Sequence, residues 1–292
     1  MAAPALLMLA HGADDPEVHQ TSWQLCERLR NNRPNLSVEL AFLDGGTPEP
    51  QATVATLAAG GAAELVIVPL DLSRAIEADD QTTELAATLS QAHPELSIQV
   101  SRPVGPSSSL LTVLDERLRA ALRAARTVEL DALVLALPRS GDVRGNALVS
   151  RRARQWSNHH KLPVVVAVSD GSGASAGQAV VTLRGQGRRH IAVGSMFIGP
   201  TTAFRQQVEL ARAAGAIAIS DPIGADDRLL ELVMARYSYA AMDMLDPSDL
   251  DADAQALADA VTQSEADASP AVSDHEAGGG FEDDTDAELD EY

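Results

Sequence analysis

The sequence is poor in the residues that several functions require. Its 292 residues hold one cysteine, Cys26, which excludes an intramolecular disulfide framework and a cysteine-based zinc site. Two Trp, three Tyr and four Phe are too few aromatics for a base-stacking surface on RNA or single-stranded DNA. Lys and Arg number 22 against 42 Asp and Glu, and the net charge of −20 has the wrong sign for a duplex-DNA footprint. No apolar run approaches the ~18 residues of a membrane span. The apolar start, Met1 to Ala10, has no Lys or Arg before Arg28, so it lacks the basic flank of a signal peptide. It reads as the first core strand of a cytoplasmic protein. No nucleic-acid or membrane partner is expected, and the G-x-S-x-G elbow of serine hydrolases is missing.

What is present is a chain long enough for about two domains and 45% hydrophobic, ample for a core. The acid excess is localised. From Pro247 to Tyr292 there are ten Asp, five Glu and no Lys or Arg, so −15 of the −20 sits in this tail. With Gly278-Gly279-Gly280 and few large apolar residues after Val261, the tail cannot bury enough surface to offset its ordering entropy, and it is expected to be mostly disordered. A short helix behind Ser248, with Leu250, Ala254, Leu257 and Val261 on one face, is the exception the pattern allows.

The body repeats itself. Ala41-Phe42-Leu43-Asp44 recurs 126 residues later as Ala167-Val168-Ser169-Asp170. Ser101-Arg-Pro-Val-Gly105 matches Ser220-Asp-Pro-Ile-Gly224, and Leu110-Leu111 then matches Leu229-Leu230. Within each repeat, apolar runs of about five residues alternate with helical patterns, the signature of βαβ units and a parallel sheet. Strands are expected near 5–9, 37–42, 65–69 and 97–100, and again near 132–136, 163–168, 190–193 and 216–219. Runs as continuous as Leu65-Val-Ile-Val68 suit strands covered on both faces. The expected fold is α/β: two tandem domains, each a four-stranded parallel sheet flanked by helices. Their boundaries are expected at 1–126 and 127–246, with the acidic tail from 247 to 292.

In open α/β sheets, ligands bind beyond the carboxyl ends of the strands. That rule selects His11 after the first strand, Asp44 after the second, and the loop Asp71-Leu-Ser73-Arg74-Ala-Ile-Glu77-Ala-Asp79-Asp80 after the third. Imidazole with carboxylate suits a divalent first-row metal, and a neutral imidazole accepts a proton. Local roles compete with this reading: a histidine bonding backbone at a helix entry, Asp44 capping a turn, acids complementing a helix N-terminus. Spacing alone leaves both open. The second repeat has Pro138 in the place of His11 and Ala203 in the place of Glu77, and keeps only Asp170. One half is therefore expected to carry the chemistry and the other to cover the substrate.

Taken together, these residues resemble the class II chelatases, the sirohydrochlorin ferrochelatases and cobaltochelatases in particular. The family's Leu-x-Ala-His-Gly-Ser-x-Asp-Pro motif appears as Leu9-Ala-His11-Gly-Ala-Asp-Asp15-Pro16, its Phe-Leu-Glu as Phe42-Leu43-Asp44, and its Val-Pro-Leu-x-Leu as Val68-Pro-Leu-Asp-Leu72. The resemblance covers about residues 5 to 240. It implies insertion of Fe²⁺ or Co²⁺, the metal being a substrate, into sirohydrochlorin, with no organic cofactor and a pseudo-two-fold monomer. It implies His11 as metal ligand and base and Asp44 as a nearby carboxylate. Glu77 falls where the family has a second histidine and is the expected substitute, as ligand and catalytic group. A polycarboxylate substrate calls for arginines, and Arg74, Arg139 and Arg144 are the candidates.

Two rival readings have residues behind them. Gly171-Ser-Gly173-Ala-Ser-Ala176 can be written as a G-x-G-x-x-A nucleotide loop, although the next strand lacks the acid that would take a ribose hydroxyl. The missing second histidine leaves room for a non-catalytic carrier of metal or tetrapyrrole. The other histidines look incidental: His159-His160 in a solvated turn, His19 on the surface of the first helix, and His93, His190 and His275 in loops or the tail. Cys26 is expected to pack as a small apolar group.

Overall fold

The structure, a computed structural model, describes residues 3–11 and 16–245. The expected helix behind Ser248 and the expected disorder of the tail lie outside these residues. Eight strands and eight helices alternate from end to end of the described chain.

The first sheet contains β1 (Ala5–Ala10), β2 (Val38–Phe42), β3 (Glu64–Pro69) and β4 (Ser97–Val100), all parallel, in the order β2-β1-β3-β4. The second contains β5 (Ala132–Leu137), β6 (Val164–Val168), β7 (Ile191–Ser195) and β8 (Ala218–Ile219), also parallel, in the order β6-β5-β7-β8. The order is the same with four added to each number. Successive side chains of a strand point to opposite faces, and here both faces are covered. Leu6 and Met8 enter one core, Leu7 and Leu9 another. Likewise Leu133 and Leu135 face the shared core while Val134 and Ala136 face a third. That is why the strands read as unbroken apolar runs.

The helices are α1 (Pro16–Asn32), α2 (Pro50–Ala59), α3 (Asp80–Ala92) and α4 (Ser109–Ala124), then α5 (Val143–His160), α6 (Ala176–Gly185), α7 (Thr202–Ala213) and α8 (Asp227–Asp243). The last helix of each half is exchanged. Helix α4, from the first half of the sequence, packs on β7 and β8, while α8, from the second half, packs on β3 and β4. A boundary at 126/127 separates the two sheets, but each sheet is completed by a helix from across it, and residues up to Met244 form a single compact unit.

The repeated Ser-x-Pro-x-Gly segments make this exchange. The N–H groups of Val104 and Gly105 donate to the carbonyls of Pro69 and Asp71, and those of Ile223 and Gly224 donate to Phe197 and Ile198. Gly105 (φ 78°) and Gly224 (φ 73°) then turn the chain through the left-handed region, where glycine carries no Cβ penalty, and send it across to the other half. The crossed helices are tied in place. Arg228 grips Glu116 through two bonds of 2.8 and 3.0 Å, and the Tyr237 hydroxyl donates to the Pro4 carbonyl at 2.7 Å. At Gly194 on β7 a Cβ would come within 2.5 Å of the Trp156 ring and 3.1 Å of Leu114, so the missing side chain is what lets α4 and α5 close onto the second sheet.

Candidate metal and tetrapyrrole cleft

The carboxyl ends of β1 and β3 face those of β5 and β7 across a cleft of about 520 Å³, open solvent at its mouth included. Its walls come from both halves: Ala10, His11 and Asp71 on one side, Pro138, Arg139 and Phe197 on the other. His11 follows directly on the buried Ala10. Gly12 to Asp15, the rest of that motif, lie outside the described residues.

The loop after β3 carries two carboxylates into this region, each with its oxygens divided between tasks. Asp79 caps α3, its Oδ1 accepting from the Thr82 N–H at 2.8 Å. Its Oδ2 is left for His11 Nε2 at 3.1 Å and for the Arg139 guanidinium at 3.5 Å. The His11 hydrogen bond, helped by the Thr82 N–H, holds the Asp79 carboxyl well below the usual carboxylate range against the opposing effect of burial. Asp71 Oδ1 accepts from the Ser73 N–H, the Ser73 hydroxyl and the Arg74 N–H at 2.7, 2.6 and 3.2 Å, which closes the loop into a tight turn. Its Oδ2 is buried without a hydrogen bond among the described residues, with Arg139 Nε at 3.9 Å as the nearest cation.

The second half holds this loop in place. Asp142 caps α5 through the Gly145 N–H at 2.5 Å, and the same carboxylate accepts from the N–H groups of Ala75, Ile76 and Glu77 at 3.2, 3.0 and 3.3 Å. Burial opposes its charge, but the four N–H donors outweigh that and keep its carboxyl below the usual range. A Cβ at Gly141 or Gly145 would collide with the Ser73 carbonyl, so the two halves touch backbone to backbone here. Asp170, the one acid shared with the first repeat, accepts from the Ser140 N–H at 2.7 Å and steadies the turn that carries Arg139.

The expected site residues are thus sorted by the fold. His11 and Arg139 meet, with Asp79 between them. Glu77 contributes its backbone: its N–H bonds Asp142 and its carbonyl accepts from Arg74 Nε at 3.0 Å. Its carboxylate is exposed, with no hydrogen bond or ion pair among the described residues. Arg74 is spent on that loop contact, Arg144 is exposed in the first turn of α5, and Asp44 is exposed beyond β2; none of the three lines the cleft. Sequence reasoning passed over Asp142, although an Asp directly before a helical pattern is a cap signal. It also misplaced three histidines. His19 is half-buried and stacks flat on Phe42, ring centroids 4.1 Å apart at 6°. His159 and His160 form the last turn of α5 rather than a solvated loop, and both face the buried Asp115. A ring next to a β-strand aromatic, and a carboxylate 45 residues away, are tertiary partners that no local pattern announces.

Residues 5–121 match the CbiX family model. That match covers the first sheet and its helices, about two fifths of the chain. A sirohydrochlorin cobaltochelatase of Priestia megaterium is 25% identical over 140 residues, which is 47% of this chain and 44% of that protein's length. Two solved structures share the fold. The sirohydrochlorin chelatase SirB of Bacillus subtilis subspecies spizizenii in complex with cobalt is 16% identical, with a TM-score of 0.67 over 83% of this chain and 97% of that one. SirB from Bacillus subtilis with Fe³⁺ is also 16% identical, with a TM-score of 0.63 over 82% of this chain and 96% of that one. Both span well beyond the residues the CbiX model matches, so the chelatase fold extends through the second sheet.

Proposed function

We propose that this chain inserts a divalent metal, Fe²⁺ or Co²⁺, into sirohydrochlorin, and that His11, Asp79 and Arg139 carry the reaction. The reading rests on one observation: His11 Nε2 and Asp79 Oδ2 face each other at 3.1 Å at the edge of a two-walled cleft. Two atoms bound to one ion at about 2.1 Å and at tetrahedral to right angles stand roughly 3.0–3.4 Å apart. A cation can therefore replace the proton between them with little movement. Imidazole plus one carboxylate is a sparse set that suits a borderline metal held briefly and passed on.

Arg139 fits the exchange. Before metal arrives its guanidinium offsets the charge of Asp79. Once a cation takes that role, the guanidinium is free to pair in a fork with a carboxylate of the macrocycle. Metal insertion must also remove two pyrrole N–H protons. The buried Asp71 Oδ2 lines the cleft with no donor of its own, and it is the acceptor we assign to one of them. The apolar wall from Leu70, Leu72 and Phe197 suits a macrocycle face. Both walls come from one chain, which supports a monomer complete in itself. The rival nucleotide reading loses ground at α6: the Ala176 N–H already donates to Gln207 at 2.6 Å, and Ser175 and Gln178 cap each other. The donors a phosphate would use are taken.

The test is anaerobic absorbance of sirohydrochlorin with Fe²⁺ or Co²⁺, with and without protein, for wild type and His11→Ala. Wild-type acceleration that is lost in the variant supports the reading, and the faster metal names the pathway. Tight binding of the macrocycle without acceleration would instead make the chain a carrier. Equal rates in wild type and His11→Ala would end the site assignment.

A further inference from the structure

Among the described residues, the only three-ligand constellation of His, Cys, Asp or Glu lies away from the cleft, at Asp115, His159 and His160, whose ligand atoms all fall within 4.8 Å of one another. Helix α5 starts beside the cleft at Val143 and runs 18 residues, about 27 Å, before it ends at His160. The cluster therefore sits at the far end of the helix.

Asp115 is a buried carboxylate on α4, set between Leu114 and Leu118 on the apolar face. A buried charge needs compensation. Its Oδ1 receives the Trp156 indole N–H at 2.6 Å and stands 2.8 Å from His160 Nε2. The indole is only a donor, so it fixes the orientation of the carboxylate. Oδ2 has a different neighbour: His159 Nε2 at 3.6 Å, beyond hydrogen-bond range but close to the spacing of two ligands on one ion. The two rings stand edge to face with centroids 4.9 Å apart, so both present Nε2 to the same carboxylate. The His159 side chain is 61% exposed, which leaves an entry path from solvent and room for a water ligand. The last carbonyls of α5 add the negative end of the helix dipole.

We propose that Asp115, His159 and His160 form a second divalent-metal site, for a borderline first-row ion such as Zn²⁺ or Co²⁺, which staples the crossed helix α4 to α5. Two imidazoles and one carboxylate suit such ions and are poor for Ca²⁺ or Mg²⁺, which require oxygen-rich shells. The Trp156 bond to Asp115 is the outer contact that orients the ligand. This site is independent of the proposed reaction.

The experiment uses the full chain carrying His11→Ala, which silences the cleft, and titrates it with Co²⁺ while following the visible d–d bands. One Co²⁺ per chain is expected, displaced by Zn²⁺, with a higher midpoint of thermal unfolding when saturated. Adding His159→Ala, at a mostly exposed ring, should weaken Co²⁺ at least tenfold and remove the metal-dependent rise, while the metal-free melting stays within a few degrees. In the wild-type chain, Zn²⁺ should protect His159 from acylation by diethylpyrocarbonate. No Co²⁺ binding in the His11→Ala chain, or binding that His159→Ala leaves unchanged, overturns the proposal without touching the cleft.

Discussion

Replacing Asp79 by Asn separates the two carboxylates that compete for the place beside His11. Asn caps a helix about as well as Asp, so the Oδ1 bond to the Thr82 N–H survives and α3 should hold. What is lost is the charge on the second oxygen, with its hydrogen bond to His11 at 3.1 Å and its ion pair to Arg139 at 3.5 Å. A charge-assisted hydrogen bond contributes about 1.5–3 kcal/mol, which is about ten- to hundredfold in an affinity. Loss of a ligand or of the group orienting one costs a similar factor. We expect Asp79→Asn to weaken Co²⁺ in the cleft and slow metal insertion by that amount, with a thermal midpoint within a few degrees of wild type. Glu77→Gln, at an exposed carboxylate, should change either quantity less than threefold. The assay is the anaerobic absorbance change run on both variants, with Co²⁺ titrated separately. Because the carboxyl of Asp79 is held below its ordinary range, its contribution to stability is fully present above about pH 4 and fades only as pH falls through the lowered value. The variant should therefore show a shallower loss of stability below pH 4. Full turnover in Asp79→Asn, or a large loss in Glu77→Gln, would refute the assignment.

Three other outcomes follow from the same geometry. Asp142→Ala removes a helix cap and three backbone donors' partner at once, which should cost about 2–3 kcal/mol and lower the unfolding midpoint by roughly 4–12 °C, together with turnover; an unchanged melting curve would mean the two loops are held together by something else. Burial pushes the Cys26 thiol up from 9.0 to about 11, so the folded state keeps a proton the unfolded chain releases, and about 3 kcal/mol of stability should drain away between pH 9 and 11. Denaturant titrations across that range should show this loss in wild type and lack it in Cys26→Ala. Deleting residues 247–292 should change turnover little, since the compact unit ends at Met244; a severalfold loss in the absorbance assay would give the acidic tail a part in the reaction.

The sequence by itself determined the layers. Strands covered on both faces must be apolar at every position, so Leu65-Val-Ile-Val68 and Ala132 to Leu137 were legible as parallel strands, and their neighbours' helical patterns followed. The Ser-x-Pro-x-Gly segments ending at Gly105 and Gly224 were legible as a repeat, and the structure gives the reason they recur, a left-handed backbone position that favours glycine. His11 stood out because strand ends are few. Only tertiary structure decided what crosses between halves. An amphipathic helix states which face is apolar but not which sheet it covers, so the exchange of α4 and α8 was hidden. In the loop from Asp71 to Asp80, spacing could not say which acid turns inward. The capping bond of Asp79 settles it, by leaving one oxygen aimed at His11 while Glu77 faces solvent. Arg139 and Asp142 reach that loop from sixty or more residues away, as His159 and His160 reach Asp115 across 44 and 45. Dihedral preference and burial period act over a few residues, whereas a site is made where distant segments are pressed together, and that is a property of packing.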